Sequence, residues 1–224
     1  MLTLIKKVSE TTTWDAIQKD VDEGKAGEYQ IGTVLVETLK DGTQMPYVLA
    51  ATNHYQQDEL LFINMKNYGD HVMNKRATNK GGWNKSDMRR HANEDILALL
   101  PDDMAAVIAP RTIVEVENDG TRVESIDKLW GLSTMEVGGD WYWDNDNGED
   151  KQLPYLKDRA NRVLRDTDGE SVCGWWERSP FRNNSYNFCY VYTSGYPHDH
   201  HYYRAYGAFG VCLGFAIRRR QNQE

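Results

Sequence analysis

The sequence predicts an α+β fold of mixed, mostly antiparallel sheets with a few helices. Three observations predict it. Apolar runs rich in β-formers are broken by turn residues between positions 33 and 65. Apolar residues recur at helical spacing near positions 14–21 and 86–108. An Asn-Asp-Gly turn joins two β-prone runs between 111 and 126. No internal repeat or low-complexity linker separates these parts, so residues 1–224 read as one domain with 1–25 as a helical lead-in.

Taken in order, Thr13 is placed to cap a helix carrying Trp14, Ile17 and Val21 on one face, with Gly24 to stop it. The runs 33–39, 46–52 and 59–65 follow, separated by Asp41-Gly42 and by the polar stretch from Asn53 to Asp58, and predict an antiparallel meander. From Ser86 the offsets of Met88, Ile96, Leu99 and Leu100 predict helix, and Pro101 divides it into two. Residues 111–117 and 121–126 flank Asn118-Asp119-Gly120 as a hairpin. Residues 138–152 read as a solvated acidic loop, 155–165 as a further helix, and the remainder as strands and turns.

The formal charge of −8 and a pI of about 5.3 disfavour a phosphate-backbone partner, so nucleic acid is not expected. Seven Trp and 13 Tyr against 5 Phe give an aromatic complement that mostly carries a polar handle and suits interfaces. Cys173, Cys189 and Cys212 lack zinc-type or disulfide-framework spacing and are expected as free thiols. The apolar start before Lys6 and Lys7 is too short for a signal-peptide core or a membrane span, so a cytoplasmically made protein is expected, released by lysis or carried in a particle.

The C-terminal segment has an unusual composition. From Ser179 to Arg220 it contains no Lys, Glu, Gln, Met or Trp, although all five are present upstream. These are the five residue types that no pyrimidine-ending codon encodes. The same stretch holds seven of the 13 Tyr and three of the six His. Asn codons AAC or AAT with either adenine replaced yield Tyr, His, Asp, Ser, Cys, Phe, Arg, Ala, Gly and Val, and never a stop. That repertoire matches the segment. The expected substituted, ligand-contacting positions are Asn183, Asn184, Tyr186, Tyr190, Tyr192, Tyr196, His198, Asp199, His200, His201, Tyr202, Tyr203 and Tyr206. They interleave with fixed positions such as Phe188, Val191, Gly195, Gly207, Val211, Leu213 and Phe215. Tyr, Ser, Gly, Asn and His on adaptable loops suit recognition, because Tyr offers large contact area with few rotors to freeze.

On these residues the chain resembles the variable proteins of diversity-generating retroelements, which have a C-type-lectin-like fold and include phage receptor-binding proteins. Further landmarks resemble a bacterial and phage family of uncharacterised C-type-lectin-like domains: Gly82 to Arg89, Asp127 to Ser133 with Glu136, Cys173 to Pro180, and the closing Gly210 to Arg218. The resemblance runs from about Ala26 to the end. It implies a C-type-lectin-like domain whose segment 179–217 is a diversified binding face. The implied ligand is a cell-surface protein or glycan, and the implied setting is a phage tail or a bacterium, with a homo-oligomer such as a trimer or a larger particle assembly. Neither catalysis, a cofactor nor membrane insertion is implied.

Other chemistries have candidate residues in the sequence. His198, Asp199, His200 and His201 are metal-like in type, but neighbours on a strand point to opposite faces and cannot all converge on one ion. Asp140, Asp144, Asp146, Glu149 and Asp150 could gather oxygens around Ca²⁺ as in a fixed, calcium-dependent carbohydrate-binding lectin. The EF-hand pattern fails there, since Trp143 stands where the first Asp should be. A sulfatase-modifying type of enzyme would need reactive cysteines, and Cys189 and Cys212 lack basic neighbours at motif spacing. Trp83, Trp130, Trp175 and Trp176 read as core before sugar platforms, and Arg178 as a structural ion-pair or hydrogen-bond donor. Arg218, Arg219 and Arg220 read as a solvated or subunit-contacting basic tip.

Overall fold

A computed structural model of the chain describes residues 12–140, 144–197 and 202–220. Helix α1 (Trp14–Asp22) begins where Thr13 accepts a hydrogen bond from the Ala16 amide at 3.2 Å, and it buries Trp14, Ile17 and Val21. Gly24 follows in the left-handed region, at φ 79°. The meander forms as β1 (Val34–Thr38), β2 (Gln44–Thr52) and β3 (Glu59–Asn64), all antiparallel, and β4 (His71–Val72) follows. A helical stretch then runs through α2 (Asp87–Arg90), a π-type stretch over His91–Ile96 and α3 (Leu97–Leu99). Pro101 separates it from α4 (Asp102–Val107). Strands β5 (Arg111–Val116) and β6 (Arg122–Asp127) are the hairpin expected at the Asn-Asp-Gly turn.

The second half adds β7 (Trp130–Gly131), α5 (Thr134–Gly138), β8 (Leu164–Arg165), β9 (Val172–Cys173) and β10 (Trp175–Pro180). The last strands are β11 (Asn187–Val191), β12 (Tyr202–Arg204), β13 (Ala208–Phe209) and β14 (Leu213–Arg218). The principal sheet has the order β1-β2-β3-β14-β7, so the last strand lies between elements far from it in sequence. Strands β10-β11-β12 form a second, antiparallel sheet. All six positions of β3 are buried, as expected for a central strand covered on both faces. Trp14 packs edge-on against Phe62 and Phe215 at 5.7 and 5.9 Å, and those two rings stack at 5.4 Å. Among the described residues no helix is long and apolar enough to cross a membrane.

Two expectations are corrected by the structure. The stretch 155–165 is not an α-helix: it forms two 3₁₀ turns, Pro154–Lys157 and Arg159–Arg162, before β8. The Trp175 indole donates to the Arg162 carbonyl at 2.9 Å, so a side chain takes a bond that helix continuation would have used. The acidic loop is not simply solvated, because Asp144, Asn147 and Asp150 are buried while Asp146 and Glu149 face outward. The basic tip is solvated at Arg219 and Arg220, as expected, while its contacts lie within the chain. Arg218 pairs with buried Glu59 at 2.8 Å, Arg219 pairs with Asp58 at 3.3 Å, and the Arg220 amide donates to Asp22.

Candidate recognition surface

A buried ionic frame includes Arg178 of β10, the strand that pairs with β11 of the C-terminal segment. Arg178, on β10, donates to Glu136 at 2.6 Å and to Asp150. Arg111, on β5, reaches the same two carboxylates at 2.7 and 3.0 Å. The Tyr55 hydroxyl donates to Glu136 at 2.7 Å, and the Arg111 guanidinium lies 3.7 Å above the Tyr55 ring. Glu136 also closes a capping box with Ser133 at the start of α5. Burial opposes the charge on Glu136, but the Arg178 and Arg111 guanidiniums outweigh it and hold the carboxyl at about 2. The network therefore ties β5, α5, β10 and the 144–150 loop into one block. The aspartate expected among solvated loop residues, Asp150, is a structural counter-ion. Trp83, Trp130, Trp175 and Trp176 are all core residues, and Arg178 is the structural donor expected.

The C-terminal segment is held largely through its backbone. The Asn79 side-chain amide donates to the carbonyls of Asn184 and Asn187 at 2.5 and 2.8 Å, and that of Asn118 donates to Asn184 at 3.0 Å. Asn64 accepts from the Leu213 amide at 2.6 Å and donates to the Val211 carbonyl at 2.9 Å, steering the chain into β14. Gly195 has φ 76°, and a Cβ there would stand 2.4 Å from the Arg159 carbonyl oxygen, so only glycine fits that turn. Anchoring of this kind leaves side chains free to differ.

The side chains divide accordingly. Phe188, Val191, Ala205, Val211, Leu213 and Phe215 are buried. Tyr186, Tyr192, Tyr196, Tyr203 and Tyr206 are 37% to 56% exposed, and they make up half of the ten large hydrophobic side chains exposed among the described residues. Tyr190 is half-buried, its ring 4.9 Å from Phe209 and 6.3 Å from Trp176, so it belongs partly to the core. Tyr203 packs edge-on against Phe209 at 5.1 Å. Arg204 donates to the Tyr206 hydroxyl at 3.0 Å, and Arg159 lies 5.5 Å from the Tyr196 ring.

Asn183 has φ 64°, a conformation that asparagine tolerates better than most residues, and the Asn184 side chain accepts from the Tyr186 amide at 2.7 Å. Both therefore carry a turn-forming role that residue-type reasoning did not separate from exposure. Tyr202 lies in β12 opposite Cys189. His198, Asp199, His200 and His201 lie outside the described residues. Phe209, Arg159, Arg204, Asn79 and Asn118 were missed as parts of this surface, and no local signal marks them, because each is brought there by the chain's return path.

The cysteines have little nucleophilic character. All three are free, and Cys189 and Cys212 are buried. Burial pushes the Cys173 thiol up to about 12 and raises the other two as well. Among the described residues no three His, Cys, Asp or Glu side chains are placed to hold a metal ion.

An α+β chain of mostly antiparallel strands, presenting an aromatic face on a rigid ionic frame, is the class that fold and surface define. The chain belongs to the family described as Domain of unknown function (DUF6273), whose model matches residues 57–218. No curated protein and no solved structure matches it.

Proposed function

We propose that this chain is a ligand-binding protein of C-type-lectin-like type, and that its 179–217 surface is diversified by retroelement-directed adenine mutagenesis. Its ligand is a cell-surface protein or glycan, met by a phage tail or a bacterial surface, and the protein works by binding without chemistry. The observation that carries this reading is the coincidence of two independent divisions. Tyrosines assigned to substituted asparagine codons are exposed at 186, 192, 196, 203 and 206, whereas the interleaved positions assigned as fixed are buried at Phe188, Val191, Val211, Leu213 and Phe215. A surface whose backbone is fixed by Asn79, Asn118 and Asn64 can exchange such side chains at small cost in stability. Assembly as a trimer or on a larger particle would add avidity to modest single-site affinity.

The test is to sequence the DNA adjoining the gene. The proposal expects a near-copy of codons 179–217 that reads AAC or AAT at the substituted positions, next to a reverse transcriptase. Absence of any such copy would overturn the diversified reading and leave a fixed binding face.

A further inference from the structure

A cavity of about 290 Å³ lies between the principal sheet and the two 3₁₀ turns. Its walls include Val48 and Ile63 from β2 and β3, Leu156 from the first turn and the Trp175 ring. Its remaining lining includes Arg162 and Arg165. The volume is at the lower end of the range for small-molecule sites, which are mostly apolar with a few placed polar groups. At about 30 Å³ per water in the liquid, it has room for a body of roughly ten heavy atoms.

The two arginines give the cavity its chemical preference. Arg162 is held by the carbonyls of Leu156 at 2.7 Å and Lys157 at 3.4 Å, and Arg165 by that of Glu170 at 2.9 Å. Neither has a carboxylate within ion-pair distance among the described residues, unlike Arg111, Arg178 and Arg218. Burial lowers the Arg162 pKa from its ordinary value, partly countered by Glu177, Asp158 and Asp140. Burial also raises the Glu177 carboxyl well above its ordinary value, which weakens it as a counter-charge to Arg162. A guanidinium with its geometry fixed by backbone and no close ion pair is suited to a carboxylate, which it can grip through two hydrogen bonds.

We propose that this cavity is a binding site for a small apolar monocarboxylate, with the hydrocarbon body against Val48, Ile63, Leu156 and Trp175 and the carboxylate at Arg162 and Arg165. None of the exposed tyrosines of the C-terminal segment lines the cavity, so either assignment can fail without the other.

The experiment titrates the full chain with 4-phenylbutyrate, octanoate and the neutral 4-phenylbutanamide, by calorimetry and by saturation-transfer NMR. The expected result is saturable binding of at least one carboxylate with Kd below about 1 mM. The amide should bind at least about tenfold more weakly, and Arg165→Gln should lose affinity by a similar factor. Val48→Trp, which fills the cavity, should abolish binding with the far-UV circular dichroism unchanged. If that variant does not fold, Arg165→Gln and the acid–amide comparison decide. No binding by either carboxylate, equal binding of acid and amide, or full affinity in Arg165→Gln would each overturn the proposal.

Discussion

Replacing Tyr192 by Ser should cost little stability, replacing Tyr190 by Ser distinctly more, and replacing Phe188 by Ala the most, although all three lie within five residues. The magnitudes follow from burial. Phe188 is fully buried, and truncating such a ring to Ala typically costs about 3–5 kcal/mol through lost transfer energy and the cavity left behind. Tyr190 is half-buried and touches the rings of Phe209 and Trp176, each contact being worth about 0.5–1.5 kcal/mol beyond burial, so its loss should come to about 2 kcal/mol. Tyr192 is 48% exposed, and complete burial of a large apolar side chain is worth about 1.5–3 kcal/mol, so its loss should stay at or below about 1 kcal/mol. Tyr186→Ser and Tyr206→Ser should resemble Tyr192→Ser. Urea unfolding of the five single variants, with the slope checked for constancy, reads these differences directly. In melting experiments about 1 kcal/mol corresponds to a shift of roughly 2–4 °C for a chain of this size. If Tyr192→Ser proved as costly as Phe188→Ala, the outward tyrosines would be part of the core and exchange at these positions could not be tolerated.

Three further outcomes are expected. Burial raises Asp144 from 3.8 to about 7 and Glu115 from 4.5 to about 8, so the folded state holds protons that the unfolded chain releases near pH 4. Their stabilising contribution is complete below about pH 4 and is lost as pH rises toward 7 and 8, by about 4 kcal/mol for Asp144 alone at 1.36 kcal/mol per unit. Glu136 works in the opposite sense between about pH 2 and 4.5, so the urea midpoint should peak on the acid side of neutrality, and Asp144→Asn should flatten the fall above the peak. Arg178→Met strands Glu136 and Asp150 with a single guanidinium between them and should destabilise the fold by about 3–5 kcal/mol, measured by the same urea titration. Cys189 and Cys212 should react with a thiol reagent such as Ellman's only at the rate of unfolding, with Cys173 reacting faster; prompt labelling of Cys189 would contradict its burial.

Much of the local structure was legible because its causes are local. The Thr13 cap with Trp14, Ile17 and Val21 defines α1, and the Asn118-Asp119-Gly120 turn defines the β5–β6 hairpin, each through short-range backbone chemistry. The absence of Lys, Glu, Gln, Met and Trp from the C-terminal segment was equally a property of the sequence, since it is a matter of composition and not of contacts. The limit came where partners are distant in the chain. Nothing near Asp150 signals that Arg111 and Arg178 stand waiting for it, so an aspartate in an acidic loop read as solvated. Residues 155–165 have the composition of a helix, yet the Trp175 indole captures the Arg162 carbonyl and holds the segment in 3₁₀ turns. Strand β14 between β3 and β7, Tyr190 sharing the core with Phe209, and the cavity at Arg162 likewise depend on long-range pairing. By itself the sequence determined the elements whose causes are local, such as α1 and the β5–β6 hairpin, and the residue types of the C-terminal segment. Only the tertiary structure decided which charges are neutralised and which side chains meet water, because burial is a property of the assembled chain.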